Sequence, residues 1–292
     1  PLVITHGWPS SFVEMTKIIP LLTDPGSYGG NPDDSFDVVI PSLPGFGFSD
    51  RFASRGGNVL KIADLWQRLM TQYLSYPQFG AHGSDWGASI SARLGFAYPD
   101  QVLGIHVTTV SGGTPSEPLP NTRKLSKAEE EMLKRRACWL EAHGGYAHIQ
   151  RREPQTYGYG FNDSPTGLAA LLVDKFREWS DCDGNVETRF TKDELLTDIS
   201  IYWFTQTINS SMRIYFEHNQ TPWILGPGER IQTPCAVASF PKEMNRPLRE
   251  WAERFYNIQR WTEFSSGGHF PAFEEPELLA KDIRAFFRFF RR

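Results

Sequence analysis

An aspartate occupies the centre of a short, glycine-bounded segment, Gly83-Ser84-Asp85-Trp86-Gly87. This spacing is typical of a sharp strand-to-helix turn that raises its central side chain above a sheet as a nucleophile. Small residues are needed at both ends of such a turn for steric reasons. A carboxylate displaces at saturated carbon and forms an alkyl ester, whereas a serine would attack acyl carbon. The bonds that Asp85 could open are therefore those of three-membered cyclic ethers and carbon–halogen bonds.

Two other interpretations of this segment stay open from its residues alone. Aspartate is favoured at helix N-caps, so Asp85 could simply cap the helix that follows. Ser84 could act as a serine nucleophile, but it does not stand at the centre of the pentapeptide. The sequence after the turn has the composition of a helix, which is the context that the nucleophile motif requires. Its apolar and small residues include Ala88, Ile90, Ala92, Leu94 and Phe96.

A histidine in a glycine-rich loop is the candidate general base. Hydrolases with this turn follow the chain order nucleophile, acid, histidine, and His269 in Ser265-Ser266-Gly267-Gly268-His269-Phe270 comes last. No aspartate lies between residues 231 and 269, so the acid that orients the imidazole must be a glutamate. Glu243, just after a predicted strand, is best placed. The alternatives Glu250, Glu253 and Glu263 are expected to be solvated charges, and a purely structural His269 is the other interpretation.

Two backbone N–H groups are candidates for stabilising an oxyanion. The segment His6-Gly7-Trp8-Pro9 follows the first predicted strand, where hydrolases of this kind supply one such donor. The residue after the nucleophile supplies the other. We therefore predict the N–H groups of Trp8 and Trp86. An ordinary turn proline at Pro9 and a packed aromatic at Trp8 are compatible with that role.

The elements that must position these residues can be predicted from the same sequence. Short β-rich runs alternate with helical patterns, which is typical of a mostly parallel sheet with helices on both faces. Predicted strands cover Val3-Ile4, 36–40, 231–239 and 258–264, and predicted helices cover 11–22, capped by Ser10 or Ser11, then 59–74 and 276–290. Residues 113–230 contain helical stretches and no convincing strand. They are predicted to form an inserted helical cap on a core of residues 1–112 and 231–292.

Composition narrows the classes of function. The 30 Lys and Arg against 34 Asp and Glu give a net charge of −4, so no basic surface for nucleic acid is expected. Three well-separated cysteines, Cys138, Cys182 and Cys235, match neither a metal site nor a disulfide framework and favour a reducing, cytoplasmic location. No run of 18 apolar residues occurs, so no membrane-spanning segment is expected.

The motifs jointly resemble those of a known family. His6-Gly7-Trp8-Pro9, the turn around Asp85, Phe240-Pro241-Lys242-Glu243 and Gly267-Gly268-His269-Phe270 resemble the microsomal-type epoxide hydrolases. The segments 162–168 (NDSPTGL) and 274–278 (EEPEL) extend the resemblance over nearly the whole chain. It implies an α/β-hydrolase core with a helical cap and no metal or organic cofactor. It also implies a small hydrophobic epoxide and water as partners, with a homodimer as one expected assembly.

The resemblance implies further site residues. Two cap tyrosines would donate hydrogen bonds to the epoxide oxygen, and local sequence suggests Tyr215 and Tyr146, with Tyr157, Tyr159 and Tyr202 as competitors. The peptide bond before Pro9 is expected to be cis. The family carries an N-terminal segment ahead of the hydrolase domain. We expect that segment to be missing here, because the chain opens directly on a predicted strand.

The expected reaction is therefore the opening of an epoxide to a diol. Tryptophans at 139, 179, 203 and 223 of the cap predict an apolar pocket. A haloalkane dehalogenase is the closest alternative, since it shares an aspartate nucleophile and a neighbouring tryptophan such as Trp86. A fluoroacetate-type dehalogenase is disfavoured because no arginine follows Asp85. A non-catalytic binding protein on the same fold is the alternative from another class.

Overall fold

The computed structural model describes residues 1–114 and 124–291, and its centre is a parallel β-sheet. The six strands are β1 (Leu2–Thr5), β2 (Val38–Val39), β3 (Phe79–Gly83), β4 (Val102–Val107), β5 (Ile231–Ser239) and β6 (Tyr256–Glu263). They lie in the order β2-β1-β3-β4-β5-β6, and every neighbouring pair is parallel. Parallel strands end at one edge of a sheet, so the loops after β1, β3, β5 and β6 emerge together.

Helices cover both faces of this sheet, as the alternating pattern predicts. Those of the core are α1 (Ile18–Thr23), α2 (Val59–Arg68) and α3 (Trp86–Ala97). Those inserted between β4 and β5 are α4 (Lys127–His143), α5 (Gly145–Arg152), α6 (Pro154–Asp163), α7 (Pro165–Trp179), α8 (Lys192–Thr205) and α9 (Ile208–Gln220). Three more follow: α10 (Arg249–Ala252), α11 (Pro271–Glu274) and α12 (Pro276–Phe287). The predicted α/β class is confirmed.

Alternation along β1 divides the core into two apolar layers. Leu2 and Ile4 pack with residues of α1 and α12 on one face of the sheet. Val3 faces the other side, where residues of α2, α3 and the inserted helices meet. Because both faces are covered, strands β1 and β3 are buried along their whole length.

Several predicted element boundaries change for local reasons. The helix predicted over 11–22 is a 3₁₀ turn, Phe12–Met15, capped by Ser11, followed by the separate helix α1. Pro20 lacks an N–H to bond the carbonyl of residue 16, so one continuous helix cannot form. The strand predicted over 36–40 is reduced to Val38–Val39. Both long predicted helices reach nearly their predicted ends, but their last turns are not α-helical: α2 continues as a π turn, Leu69–Tyr73, and α12 continues as a 3₁₀ turn, Arg288–Phe290.

The inserted segment is helical where it is described. Helices α4 to α9 fill it, and an isolated parallel bridge between Gly113 and Ile224 joins its two ends. Residues 115–123 of the predicted cap lie outside the described ranges. We call helices α4–α9 the cap, and the exact boundaries of the two parts stay a prediction.

The segments 162–168 and 274–278, which extend the family resemblance, each contain the start of a helix. Ser164 accepts a hydrogen bond from the N–H of Gly167 at 3.0 Å, and Pro165 opens α7 at a position where a missing N–H is harmless. Pro276 opens α12 in the same way, and the preceding Glu275 forms an ion pair with Arg189 of the cap at 2.9 Å. These motifs therefore fix helix registers and tie cap to core.

Two expectations about the whole chain concern its cysteines and membranes. Cys138, Cys182 and Cys235 are free thiols, the first exposed and the other two buried. None of the helices within the described ranges has both the length and the apolar character needed to cross a bilayer.

Candidate active site

Asp85 sits on a strained turn between β3 and α3. Its backbone has φ 49° and ψ −121°, in the region where residues other than glycine are rare. A β-carbon at Gly87 would collide with the carbonyl of Thr5, and one at Gly83 would collide with Gly87 itself. Asp85 makes no side-chain capping bond to α3, so capping does not account for it. The turn instead presents its carboxylate at the carboxyl edge of the sheet.

His269 and Glu243 form a buried pair beside Asp85. The Nδ1 atom of His269 lies 2.8 Å from Oε2 of Glu243, and the backbone N–H of Asn245 donates to the other carboxylate oxygen at 3.0 Å. His269 and Glu243 are only 3% and 5% exposed. The carboxylate is therefore fixed on the imidazole and holds the ring in one orientation.

The other nitrogen of His269 faces the nucleophile. Nε2 lies 3.6 Å from Oδ2 of Asp85, which is beyond a hydrogen bond. Burial alone would lower the pKa of His269, but the negative charges of Glu243 and Asp85 outweigh it and raise the pKa well above its usual value. The imidazolium is thus stabilised while both carboxylates are ionised.

The N–H of Trp8 bonds the nucleophile directly. It donates to Oδ1 of Asp85 at 2.9 Å, and the Trp8–Pro9 peptide bond is cis, as expected. His6 holds this loop, since its Nε2 lies 3.1 Å from the Leu43 nitrogen and its Nδ1 lies 3.0 Å from the Gly7 oxygen. Trp86 is the first residue of α3, where backbone N–H groups have no acceptor within the helix. The Trp8 N–H therefore contacts Asp85 directly, and the Trp86 N–H belongs to the residue that follows it.

Tyr146 lies on α5 and Tyr215 lies on α9, and their side chains meet above the cavity floor. This floor is formed by Trp8, Asp85, Glu243 and His269. Their ring centroids are 6.1 Å apart with the planes at 82°. The ring of Trp8 stacks on Tyr146 at 5.3 Å and meets Tyr215 edge-on at 5.9 Å. Both tyrosines line the cavity that contains Asp85 and His269. Helices α5 and α9 thus bring the two predicted tyrosines together.

The competing tyrosines lie elsewhere. Tyr157 and Tyr159 are 43% and 65% exposed on the outside of the cap. Tyr202 is buried, but its hydroxyl donates to the carbonyl of Ser10 at 2.7 Å. None of the three lines the cavity around Asp85.

Both cavity tyrosines keep their protons at any physiological pH. Burial, followed by the charge of Asp85, raises the pKa of Tyr146 well above its usual value. Burial and the neighbouring Tyr146 and Asp85 raise the pKa of Tyr215 in the same direction. Arg151 opposes the rise in both cases. The two phenols are therefore available as hydrogen-bond donors.

The glutamates that were set aside are occupied by other partners. Glu250 accepts from the hydroxyl of Ser126 at 2.6 Å, Glu253 pairs with Arg249 at 2.8 Å, and Glu263 lies 3.5 Å from Arg246. Sequence reasoning missed a different acid, Glu14. It is buried next to the Trp8 loop and accepts from the hydroxyl of Ser10 at 2.5 Å.

The cavity around Asp85 is more polar than the cap tryptophans predict. It has a volume of about 310 Å³, and its walls include the apolar Trp139, Leu140, Trp223 and Ile224. Arg136, Arg151 and His218 also line it, and they line an adjoining cavity of about 440 Å³ as well. In the sequence, only the helical spacing of these three residues could have indicated that they line the cavity. His218 lies three residues after Tyr215 on α9, so the two share a face.

Comparison with known proteins identifies the family. The alpha/beta hydrolase fold family matches residues 1–139. Epoxide hydrolase 1 of Sus scrofa is 38% identical over 98% of this chain and 67% of its own length. A relative from Stigmatella aurantiaca, also bearing an epoxide hydrolase name, is 42% identical over 99% of this chain and 64% of its own.

A solved structure agrees with these sequence relatives. The crystal structure of juvenile hormone epoxide hydrolase from Bombyx mori superposes with a TM-score of 0.82 at 31% identity, covering 100% of this chain and 69% of that one. The chain thus spans about two thirds of the relatives that it matches, 64% of one and 67% of another. On its sequence, fold and relatives, the chain belongs to the microsomal-type epoxide hydrolases of the α/β-hydrolase fold.

Proposed function

We propose that this protein hydrolyses epoxides to vicinal diols through an alkyl ester on Asp85. One observation carries the proposal: the two oxygens of Asp85 face different groups. Oδ1 accepts the Trp8 N–H at 2.9 Å, and Oδ2 lies 3.6 Å from His269. The tyrosine pair lines the same cavity. One carboxylate oxygen is therefore held by the backbone donor, and the other is free to attack carbon.

The first half of the reaction forms the ester. Oδ2 of Asp85 attacks a ring carbon, and the bond between that carbon and the epoxide oxygen breaks. The departing oxygen takes a proton from Tyr146 or Tyr215, since an alkoxide is a poor leaving group without one. The second tyrosine stabilises the developing charge by a hydrogen bond. The product of this half is a hydroxyalkyl ester of Asp85.

The second half hydrolyses that ester. His269 takes a proton from water, and the resulting hydroxide attacks Cγ of Asp85. Oδ1 becomes the oxyanion, and the N–H groups of Trp8 and Trp86 stabilise it. The tetrahedral species then collapses as the bond between Cγ and Oδ2 breaks. Oδ2 leaves as the alkoxide of the diol, which takes its proton from His269. The proton released as Asp85 ionises again restores the tyrosine.

The relatives support the same chemistry. The proteins from Sus scrofa and Bombyx mori carry epoxide hydrolase names. The aromatic and aliphatic walls at Trp139, Leu140 and Trp223 favour a substrate with a hydrophobic body. A homodimer and a cytoplasmic location stay predictions.

The test is product analysis combined with trapping of the ester. We expect diol from aryl and aliphatic epoxides, no halide from 1-haloalkanes, and a loss of at least about 10⁴-fold in Asp85→Ala. His269→Gln should still form the ester, so mass spectrometry should find an added substrate mass on the peptide containing Asp85. Asp100→Ala and His148→Gln, both at exposed positions, are the matched controls and should retain activity.

Haloalkane dehalogenation is the second candidate, and one observation favours it. The indole Nε1 of Trp86 is buried at the cavity without a hydrogen-bond partner among the described residues, and such a donor could bind halide. A halide leaves without a proton, so Tyr215→Phe should then change the rate little. Halide release without diol would establish this function. No product from either substrate class would indicate a binding protein.

A further inference from the structure

Two arginines stand on the cap side of the cavity without acidic partners. Arg136 on α4 and Arg151 on α5 line both the cavity around Asp85 and the adjoining one. Within residues 1–114 and 124–291, neither guanidinium takes part in an ion pair or hydrogen bond. Among the residues that the structure describes, no carboxylate side chain lines the adjoining cavity, and the carboxylates of the first, Asp85 and Glu243, are at its floor.

Arg136 is half-buried and Arg151 is exposed, and the positive charges of both are uncompensated within the described residues. Burial, and then the nearby charge of Arg151, lower the pKa of Arg136. Guanidinium groups removed from water are normally paired with a carboxylate or phosphate, because desolvating an unpaired charge is unfavourable. An anion bound between the two arginines would relieve the desolvation of Arg136 and the repulsion between the two positive charges. Their planar forks match a carboxylate in particular.

A third polar group stands beside the arginines. The Nδ1 atom of His218 is buried and has no hydrogen-bond partner among the described residues. Burial, then the charge of Arg151, lower the pKa of His218 to about 4, so this imidazole is neutral at physiological pH. Its ring meets Trp86 at 5.3 Å, next to the nucleophile turn. A neutral imidazole adds a hydrogen-bonding group without reducing the positive charge of the two arginines.

Apolar side chains form part of the cavity wall between the catalytic groups and the arginines. Catalytic groups occupy the floor, the arginines face the cap side, and Trp139, Leu140 and Pro222 are among the residues that line the same space. We propose that the substrate is an epoxide that also carries a carboxylate, with the carboxylate on Arg136 and Arg151 and the epoxide at Asp85. This inference rests on the proposed function and adds the chemical class of the substrate.

Another role for the arginines makes a different prediction. Arg151 lowers the pKa of both Tyr146 and Tyr215 relative to burial alone, so it could assist proton donation. That effect would act equally on neutral and acidic epoxides. A preference between two substrates that differ only in the charge of a remote group separates the two roles.

The experiment compares 9,10-epoxydecanoic acid with its methyl ester at low ionic strength. We expect kcat/KM for the acid to exceed that for the ester by about tenfold or more, because charged hydrogen bonds of this kind contribute that much. The preference should shrink as salt is added. Arg136→Gln and Arg151→Gln should each reduce the ratio of acid to ester by about tenfold.

Matched controls are available one residue away on the same helices. Arg135 and Arg152 are exposed and line neither cavity, so Arg135→Gln and Arg152→Gln remove the same charge but should preserve the ratio. A wild-type ratio near one, or equal losses on both substrates in the cavity variants, overturns the inference while leaving epoxide hydrolysis intact. Hydrolysis of neither substrate overturns the proposed function as well.

A binding measurement separates the two failures further, because it needs no turnover. Calorimetry with decanoate and decanamide should detect the carboxylate only, and Arg136→Gln should weaken its binding by about tenfold. Equal binding of both compounds, or binding unchanged in Arg136→Gln, would count against the carboxylate site whatever the protein's activity.

Discussion

The floor of the cavity and the cap wall above it are built differently. The catalytic floor, Trp8, Asp85, Glu243 and His269, is held by hydrogen bonds of 2.8 to 3.0 Å that link these residues to one another or to adjacent backbone. The cap wall, Arg136, Tyr146, Arg151, Tyr215 and His218, contains charged and polar groups that lack such fixed partners, as the two arginines and His218 Nδ1 show within the described residues. The floor is preorganised, and the wall is open to a ligand.

The difference follows from where each group is attached. Floor residues lie at the ends of parallel strands or on loops wedged between them, so the sheet itself sets their distances. Wall residues lie on the cap helices α4, α5 and α9. The catalytic groups of the floor tolerate little displacement, whereas the choice of substrate depends on the side chains of the cap wall. Substitutions in the floor should therefore affect every epoxide, and substitutions in the wall should depend on the substrate.

After removal of the nucleophile itself, Glu243→Gln should give the largest effect in the floor. A glutamine can donate its N–H to Nδ1 of His269, which favours the wrong imidazole tautomer, and it no longer stabilises the imidazolium. We expect turnover to fall by about 10³-fold while the ester on Asp85 still forms at nearly the wild-type rate. Stopped-flow measurements of ester formation and decay separate the two steps.

The control for this change is Glu253→Gln, which removes an exposed partner of Arg249. It should leave both steps unchanged. If Glu243→Gln slowed ester formation and decay equally, Glu243 would support the architecture of the whole floor and would not act through His269 in particular.

Removing the wall hydroxyls should affect ring opening only. Tyr215→Phe and Tyr146→Phe should each slow ester formation by about 10²-fold, the usual contribution of a positioned proton donor. The decay of the ester should be almost unchanged, because its oxyanion is bound by backbone N–H groups. Single-turnover kinetics with excess enzyme measure both rates.

Tyr159→Phe, on the exposed side of the cap, provides the matched control. The comparison between floor and wall would be wrong if either cavity variant slowed the decay of the ester as strongly as its formation. A large loss for one tyrosine and none for the other would identify the single proton donor.

The pH dependence should differ between the two halves of the reaction. Glu243 and Asp85 together raise the pKa of His269 in the free protein. Alkylation neutralises Asp85 and so removes one of these charges, which lowers the pKa of His269 in the ester toward its usual value. His269 therefore loses its proton more readily in the ester, where it must act as a base. The pKa limiting ester decay should be lower than the pKa that NMR titration of free His269 reports, and equality of the two would refute this coupling.

The sheet was predicted in part. Strands β3 and β4 were given no bounds, because glycine and histidine interrupt their apolar residues, FGAHG and VLGIHV. Strand β5 matches its predicted bounds, 231–239. The helix after Ser11 was wrong in its interior because hydrophobic spacing carries no information about the missing N–H of Pro20. The prediction for the edge strand β2 was too long, since pairing with a single neighbour limits the extent of this strand.

The candidate site was also predicted only in part. Asp85, Glu243 and His269 could be predicted as neighbours. The turn around Asp85 is itself a strand-to-helix motif, and Glu243 and His269 each follow a predicted strand of one parallel sheet. Arg136 and Arg151 could not, because they lie on two different cap helices. Helical spacing identifies the residues that share a face. It does not indicate which face meets another helix, since that depends on contacts distant in sequence.

The smallest effect should come from a group beneath the floor. Glu14 is buried, and burial, with Asp198 and Asp85 adding to it, raises its pKa to about 8 against the opposing bonds from Ser10 and the charge of His269. In the unfolded chain the carboxyl would titrate near its ordinary 4.5. Between these two values the unfolded chain releases a proton that the folded protein keeps, so Glu14 lowers stability as pH rises through that range.

Glu14→Gln should remove this dependence while retaining an acceptor for the hydroxyl of Ser10. The melting temperature of the variant relative to wild type should therefore rise between pH 5 and pH 8, by an amount corresponding to a few kcal/mol at most. Turnover should change by less than about threefold, because Glu14 braces the Trp8 loop without touching Asp85 or His269. Calorimetric scans at one fixed rate across the pH series measure the difference. Parallel pH profiles would mean that Glu14 is already ionised in the folded protein, and the support beneath the floor would then be a charge in place of a neutral hydrogen bond.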